Sequence, residues 1–260
     1  MTRNRWTPWE TGPDADGGAG DARVYCLPHA GGSAGSYLSW SRSQEVPAGL
    51  RFVPVELPGR GTRMREPLLS SMDEVVDGLL AVLAERPEEE PFLLMGHSMG
   101  AQIAYETTRR LVGAGRPLPR AVVVSGCRPP GAPVALPLHE RNDGELLDGI
   151  VELGGTPAEI LAHPELLEML LPVMRADLGL LARYMTEVRP TVLPCPLVAL
   201  GGSDDRLAGP EWITGWRAMT TGGFRRRILP GDHFFLHARA AEVMTEIADA
   251  VREHAAPAGG

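Results

Sequence analysis

Short, largely apolar runs punctuate this chain, and between them apolar residues recur every three or four positions. The runs at 23–27, 52–55, 92–95, 121–125 and 197–200 have the length and composition of buried strands. A sixth, at 225–229, is strand-like although it opens on Arg225-Arg226-Arg227. The windows 71–85, 99–112, 210–219 and 238–254 carry helical spacing; in the second, Ile103, Ala104, Thr107, Thr108 and Leu111 fall on one face. Strands alternating with helices predict an α/β fold, a mostly parallel doubly wound sheet flanked by helices. The alternation stops between 126 and 191. A Pro-rich loop at 128–138 leads into helical stretches at 143–153, 157–162, 164–171 and 173–187. The expected organisation is therefore a core of 22–127 and 190–254, interrupted by a helical lid at 128–189. A mobile N-terminal tail is expected at 1–21, with Trp6 and Trp9 available to pack on the body, and a short tail at 255–260. Leu166, Leu167, Leu170, Leu171 and Met174 form an apolar stripe in the insert. It reads equally as helix-packing core and as a contact surface for an acyl chain.

The sharpest chemical signal is Gly96-His97-Ser98-Met99-Gly100, a G-x-S-x-G sequence between the apolar run Pro91-Phe92-Leu93-Leu94-Met95 and a helix. Strand, tight turn and helix are the context in which such a serine becomes a nucleophile lifted above the sheet edge. A nucleophilic serine needs a base, and the base needs an orienting carboxylate. On an α/β-hydrolase fold the order along the chain is Ser, acid, His. Of the seven histidines, His233 lies in a loop after the last strand and before the last helix, where a base belongs. His29 and His97 sit in or beside turns and are expected to shape loops. For the acid, the strand at 197–200 is followed by Gly201-Gly202-Ser203-Asp204-Asp205. The spacing Gly202-x-x-Asp205 favours Asp205, and Asp204 stays open as the alternative.

An oxyanion needs two backbone N–H donors. One is expected from Met99, after the nucleophile, and the other from the loop after the first strand, Pro28-His29-Ala30-Gly31-Gly32-Ser33, with Ala30 the candidate donor. A phosphate-binding glycine loop fits poorly, because the P-loop lysine and its spacing are missing.

Composition narrows the function further. The net charge is −8, which argues against a nucleic-acid partner. The chain contains no lysine, so no lysine can act as base or Schiff-base former. Cys26, Cys127 and Cys195 are sparse, lack metal spacing and read as buried apolar residues of a reducing, cytoplasmic compartment. No apolar stretch reaches the ~20 residues that span a membrane, and the N-terminus lacks the apolar region of a signal peptide. No metal or resident cofactor is expected.

Five segments in order resemble the type II thioesterases of polyketide and non-ribosomal peptide synthesis: Cys26-Leu27-Pro28-His29-Ala30-Gly31-Gly32-Ser33, Leu57-Pro58-Gly59-Arg60, Gly96-His97-Ser98-Met99-Gly100-Ala101, the middle block Leu153-Gly154-Gly155-Thr156-Pro157 with Pro164-Glu165-Leu166 and Leu171-Pro172-Val173-Met174-Arg175-Ala176-Asp177, and Gly231-Asp232-His233-Phe234-Phe235-Leu236. The likeness covers about 23–252. It implies hydrolysis of acyl thioesters on the phosphopantetheine arm of acyl or peptidyl carrier proteins, removing stalled or aberrant acyl groups, by an enzyme expected to be monomeric. Two departures stand out: Gly231-Asp232 where the family often has Gly-Gly, and no proline after the acid turn. The residues alone are equally compatible with a carboxylesterase or lipase of the same fold. A catalytically inactive binding module is disfavoured, because every catalytic position is occupied.

Overall fold

The computed structural model describes residues 4–10, 22–133, 138–153 and 163–254. Its centre is a six-stranded sheet, β1 (Ala22–Leu27), β2 (Leu50–Pro54), β3 (Phe92–His97), β4 (Val122–Ser125), β5 (Leu197–Gly202) and β6 (Phe224–Leu229), in the order β2-β1-β3-β4-β5-β6. Every neighbouring pair is parallel. The inner strands are buried along their length, and alternate residues serve opposite faces. Tyr25, Leu27 and Leu94 join the layer that contains α2 (Met72–Ala84) and α3 (Met99–Gly113). Val24, Cys26, Leu93 and Met95 join the opposite layer, with Trp40 of the short α1 (Leu38–Ser41) and Val243, Met244 and Ile247 of the C-terminal helix. Helix α2 begins at a capping box: Ser71 accepts from the Glu74 N–H, and Glu74 reaches back to the Ser71 N–H.

The chain winds one way from β1 to β2 and the other way from β3 to β6. The strand order therefore reverses between β1 and β3, and ligands of open α/β sheets bind outside the carboxyl ends of the strands at such a switch. Leu27 and Gly96 are register partners there, so the loop after β1 and the turn after β3 leave the sheet side by side.

The insert lies between β4 and β5. Its described helices are α4 (Asp143–Leu153) and α5 (Pro164–Glu187); the helix expected at 157–162 falls outside the described residues. The two helices expected at 164–171 and 173–187 are one. Pro172 lacks the N–H that would bond the Glu168 carbonyl, but both residues lie on the exposed face, where water can satisfy that carbonyl. The C-terminal elements are α6 (Pro210–Gly215), α7 (Phe235–Ala238) and α8 (Ala240–His254). All three cysteines are buried and free. Among the described residues no helix is long and apolar enough to cross a membrane.

Two surface features differ from a plain reading of the sequence. Residues 4–10 of the expected tail lie on the body: the Trp6 carbonyl accepts from the Glu56 N–H, Arg63 stacks over the Trp6 ring, and the ring covers Gly78 of α2. On β6, an edge strand, Arg225 and Arg227 face α8, whereas Arg226 between them turns to the other face and donates to Thr214 Oγ1 at 2.7 Å. Arg225 pairs with Glu246, Asp249 and Glu253, and Arg227 with Glu246, so this charge run is largely neutralised within the chain. Trp6→Ala should lower stability by about 1–3 kcal/mol, less than a fully buried tryptophan would cost, and should speed proteolysis before residue 10. Unchanged urea unfolding and protease resistance would show that the segment contributes nothing to the body.

Candidate active site

Ser98 occupies the turn between β3 and α3 with φ 53° and ψ −115°, and among the described residues it is the one non-glycine with positive φ. Such a conformation costs about 1–3 kcal/mol and persists only where the surroundings enforce it. Here the two flanking glycines do so. A Cβ on Gly96 would lie 2.0 Å from the Gly100 carbonyl, and one on Gly100 would lie 2.2 Å from the Leu27 carbonyl oxygen. Only hydrogen side chains let β3, α3 and β1 approach this closely. The Ser98 N–H donates to the Ser125 carbonyl at 2.8 Å, tying the turn to the end of β4. The result is a serine hydroxyl presented, partly exposed, at the sheet's carboxyl edge.

His233 follows β6 and Asp205 follows β5. The His233 Nδ1–H donates to Asp205 Oδ2 at 2.9 Å, and the Asp205 side chain is fully buried. The other carboxylate oxygen accepts from the Leu207 and Ala208 N–H groups at 2.8 and 3.0 Å. Burial pushes the Asp205 carboxyl up, but the hydrogen bond and charge of His233, then the two backbone donors, bring it below its ordinary value. Asp204 is exposed and accepts from its neighbour Ser203 Oγ at 2.8 Å. The His233 ring lies 4.8 Å, centroid to centroid, from that of His97, the residue before Ser98. No hydrogen bond joins Ser98 Oγ to His233 among the described contacts; in unliganded sites such bonds often tighten only when substrate arrives.

His97 and His29 complete a ring cluster around Phe234. His97 Nδ1 lies 3.0 Å from Ser125 Oγ, and its ring fills the space beside Gly126, which has φ +55°. The His29 carbonyl accepts from the Gly32 N–H at 2.9 Å and closes the turn after β1. Burial, then the neighbouring histidines, holds the His97 imidazole well below its usual range. Burial, then His233, His237 and Arg60, pushes His29 down to about 3. Both rings are therefore neutral near pH 7.

Ala30 and Met99 flank this chemistry. Among the described residues neither backbone N–H donates to a protein acceptor, and Met99 opens α3, whose N-terminus favours negative charge. The loop carrying Ala30 is held by side chains whose part in the site the sequence did not disclose. The Gly31 N–H donates to Asp177 Oδ2 at 2.8 Å, the Ala34 N–H to Glu56 Oε1 at 3.0 Å, and Arg60 Nη1 to the Gly32 carbonyl at 3.4 Å. Arg60 and Asp177 form a two-pronged buried ion pair. Arg60 and Asp177 stand in motifs that are visible in the sequence, but their pairing across 117 positions is not. Among the described residues no group of His, Cys, Asp and Glu could hold a metal ion.

The profile of the thioesterase domain family matches residues 22–253. A probable cadicidin biosynthesis thioesterase of Streptomyces griseus is 39% identical over 91% of this chain, which spans 64% of that protein's length. Among solved structures, the RedJ thioesterase from the prodiginine pathway of Streptomyces coelicolor is 34% identical with a TM-score of 0.83, covering 96% of this chain and 100% of its own. YbtT, a type II thioesterase from the yersiniabactin NRPS/PKS pathway, is 29% identical with a TM-score of 0.80, covering 92% and 97%.

Two measurements probe this geometry. Asp205→Asn should cost far more turnover than Asp204→Asn, by ~10⁴-fold if the amide selects the wrong imidazole tautomer; comparable losses would move the orienting role. The second concerns stability. An unfolded His29 titrates near pH ~6.5 and the folded one near 3. The unfolded chain therefore binds the extra proton across that window, and stability falls as pH falls through it, by at most about 1.4 kcal/mol per pH unit. Urea unfolding from pH 6.5 to 4 should show a shallower decline for His29→Gln than for the wild type. Equal slopes would mean that His29 is protonated without penalty in the fold.

Proposed function

The chain belongs to the thioesterase domain family, hydrolases of acyl thioesters, and on that premise we propose that it cleaves acyl groups from the phosphopantetheine arm of carrier proteins by a Ser98-His233-Asp205 triad. Ser98 Oγ attacks the thioester carbonyl while His233 Nε2 takes its proton. Asp205 keeps the proton on Nδ1, which leaves Nε2 free to act as base. The carbonyl oxygen becomes an oxyanion held by the Met99 and Ala30 N–H groups. Collapse of the tetrahedral intermediate expels the thiol arm, protonated by His233, and leaves Ser98 acylated. Water then loses a proton to His233, attacks the ester, and releases the free acid and Ser98. The parts needed are all side chains and backbone N–H groups, so no resident cofactor enters; the phosphopantetheine arrives with the substrate.

One observation carries this reading: a buried Asp205–His233 hydrogen bond beside a serine in strained backbone at the switch point of the sheet. The carrier-bound thioester, and removal of aberrant or stalled acyl groups as the biological task, rest on likeness to proteins of NRPS/PKS pathways such as YbtT. The insert at 128–189 acts in this proposal as a lid. Met174 and Leu170 lie against Gly31, next to the Ala30 donor, where apolar side chains can shape an acyl chamber. A methylene more or less in such a chamber changes the barrier by only about 1–3 kcal/mol, which suits an enzyme that edits varied acyl groups.

The test is hydrolysis of an acyl-carrier thioester beside a matched oxygen ester. A thioester preference supports the proposal; an oxygen-ester preference makes the protein a carboxylesterase with the same machinery. Ser98→Ala should stay folded and lose roughly 10³-fold or more in kcat. Near-normal turnover by that variant would remove Ser98 from the role of nucleophile.

A further inference from the structure

The loop that offers the Ala30 N–H has little of its own to hold it in place. It contains two consecutive glycines, and Gly31 sits at φ +75°, a conformation glycine enters at little cost and leaves as easily. Around it the chain concentrates buried charge. Asp177 projects from the middle of α5, and Arg60 from the loop after β2. They meet over Gly31 and Gly32 with only 3% and 6% of their side chains exposed. The pair is joined through both guanidinium ends, and each partner also holds the glycine turn: Asp177 Oδ2 takes the Gly31 N–H at 2.8 Å, and Arg60 Nη1 reaches the Gly32 carbonyl. The Ala30–Gly31 peptide is thus gripped at its N–H by an anion, and the Gly32–Ser33 peptide at its C=O by a cation. A buried ion pair gives little net stability over apolar residues of the same volume, so its placement calls for another reason.

We propose that Arg60 and Asp177 are positioning residues for the oxyanion hole, fixing the Gly31-Gly32 turn and through it the direction of the Ala30 N–H. The assignment rests on the reading of Ser98 as nucleophile and Ala30 as donor. Because Asp177 belongs to α5, the donor is in line only while that helix is seated. Apolar contacts of Met174 and Leu170 with Gly31 accompany the polar grip, but they can slide; the bidentate pair has a fixed geometry.

The experiment separates alignment from folding. Asp177→Leu alone strands a buried guanidinium, so Asp177→Leu is combined with Arg60→Met, which removes both charges and keeps the space filled. That double variant should melt close to wild type, yet lose about 10²-fold in kcat, the scale of one missing oxyanion donor, with KM within about 3-fold. Affinity for an alkyl trifluoromethyl ketone, whose adduct with a serine bears an oxyanion, should fall in parallel with kcat/KM. Asp177→Asn provides a milder second variant. Its amide oxygen can still take the place of Oδ2 toward Gly31 and Arg60 Nη1, but the amide NH2 then faces the Arg60 Nη2 donor and the charge is gone, so the grip loosens and kcat should drop by about tenfold or more at near-normal KM. A folded variant of either kind that keeps kcat and ketone affinity within 3-fold of wild type overturns the proposal, as does a loss confined to KM. Ser98→Ala, assayed alongside, keeps the premise separate: turnover there would sink the triad reading whatever Asp177 does.

Discussion

Three backbone segments cross at the switch point of this sheet with no room for a side chain between them. The end of β1, the turn after β3 and the first turn of α3 approach to the distance set by hydrogen atoms at Gly96 and Gly100. Everything chemical follows from that crowding. It lets α3 start directly from the last residue of the turn, so the helix N-terminus and the Met99 N–H face the same edge as Ser98. It forces Ser98 into strained backbone, and the strain is offset by α3, whose side chains from Met99 to Thr108 are buried throughout. It also sets the loop after β1 alongside, because Leu27 pairs in register with Gly96. Bulk at either glycine would separate Ser98 from the Met99 N–H and from the loop that carries Ala30.

Around this crossing the chain buries polar groups and satisfies them with fixed partners. Asp205 accepts from one imidazole and two backbone N–H groups. Glu56, buried and with no ion pair to its carboxylate among the described residues, accepts from the N–H groups of Ala34 and Thr62 and from the Thr62 hydroxyl. Arg60 and Asp177 answer each other. All of these lie on loops beyond the carboxyl ends of strands or on the helix above them. The exposed pairs, such as Arg110 with Asp73 and Asp77, are worth little because water screens them. A low-dielectric setting makes a partnered buried charge a rigid one, which is what a site with preorganised donors requires.

The sequence carries the strands, the flanking helices and the serine turn legibly, because each is a local pattern: an apolar run, a helical period, a glycine pair around Ser98. The Gly202-x-x-Asp205 spacing is local in the same way: the turn after β5 puts Asp205 in the interior against His233 and leaves Asp204 exposed. Pro172 misled because a proline is a local signal to break a helix, whereas the surrounding turns of α5 and an exposed Glu168 carbonyl absorb the lost bond. The pairing of Arg225 and Arg227 is invisible in the sequence until α8 brings Glu246, Asp249 and Glu253 across them. Glu56, Arg60 and Asp177 were beyond reach altogether. Their roles exist only once three separate loops and a helix have been folded together, and no periodicity announces that.

The insert is not uniform, and the difference bears on how a lid here could work. After Pro172, α5 is built into the body: Leu180, Tyr184 and Met185 join the core layer of α3, and the Tyr184 hydroxyl donates to the buried Glu106 carboxylate at 3.1 Å. Before Pro172, Leu166 and Met169 are exposed, 40% and 53%, so few buried contacts resist local opening there. Asp177 stands just past the division, one and a half turns after the proline, on the anchored side. If the insert works as the proposed lid, the half before Pro172 is the part free to move over an entering acyl chain, while the anchored half keeps its grip on Gly31. On that reading entry and alignment fall to different stretches of one helix, and the proline with its missing hydrogen bond lies between them.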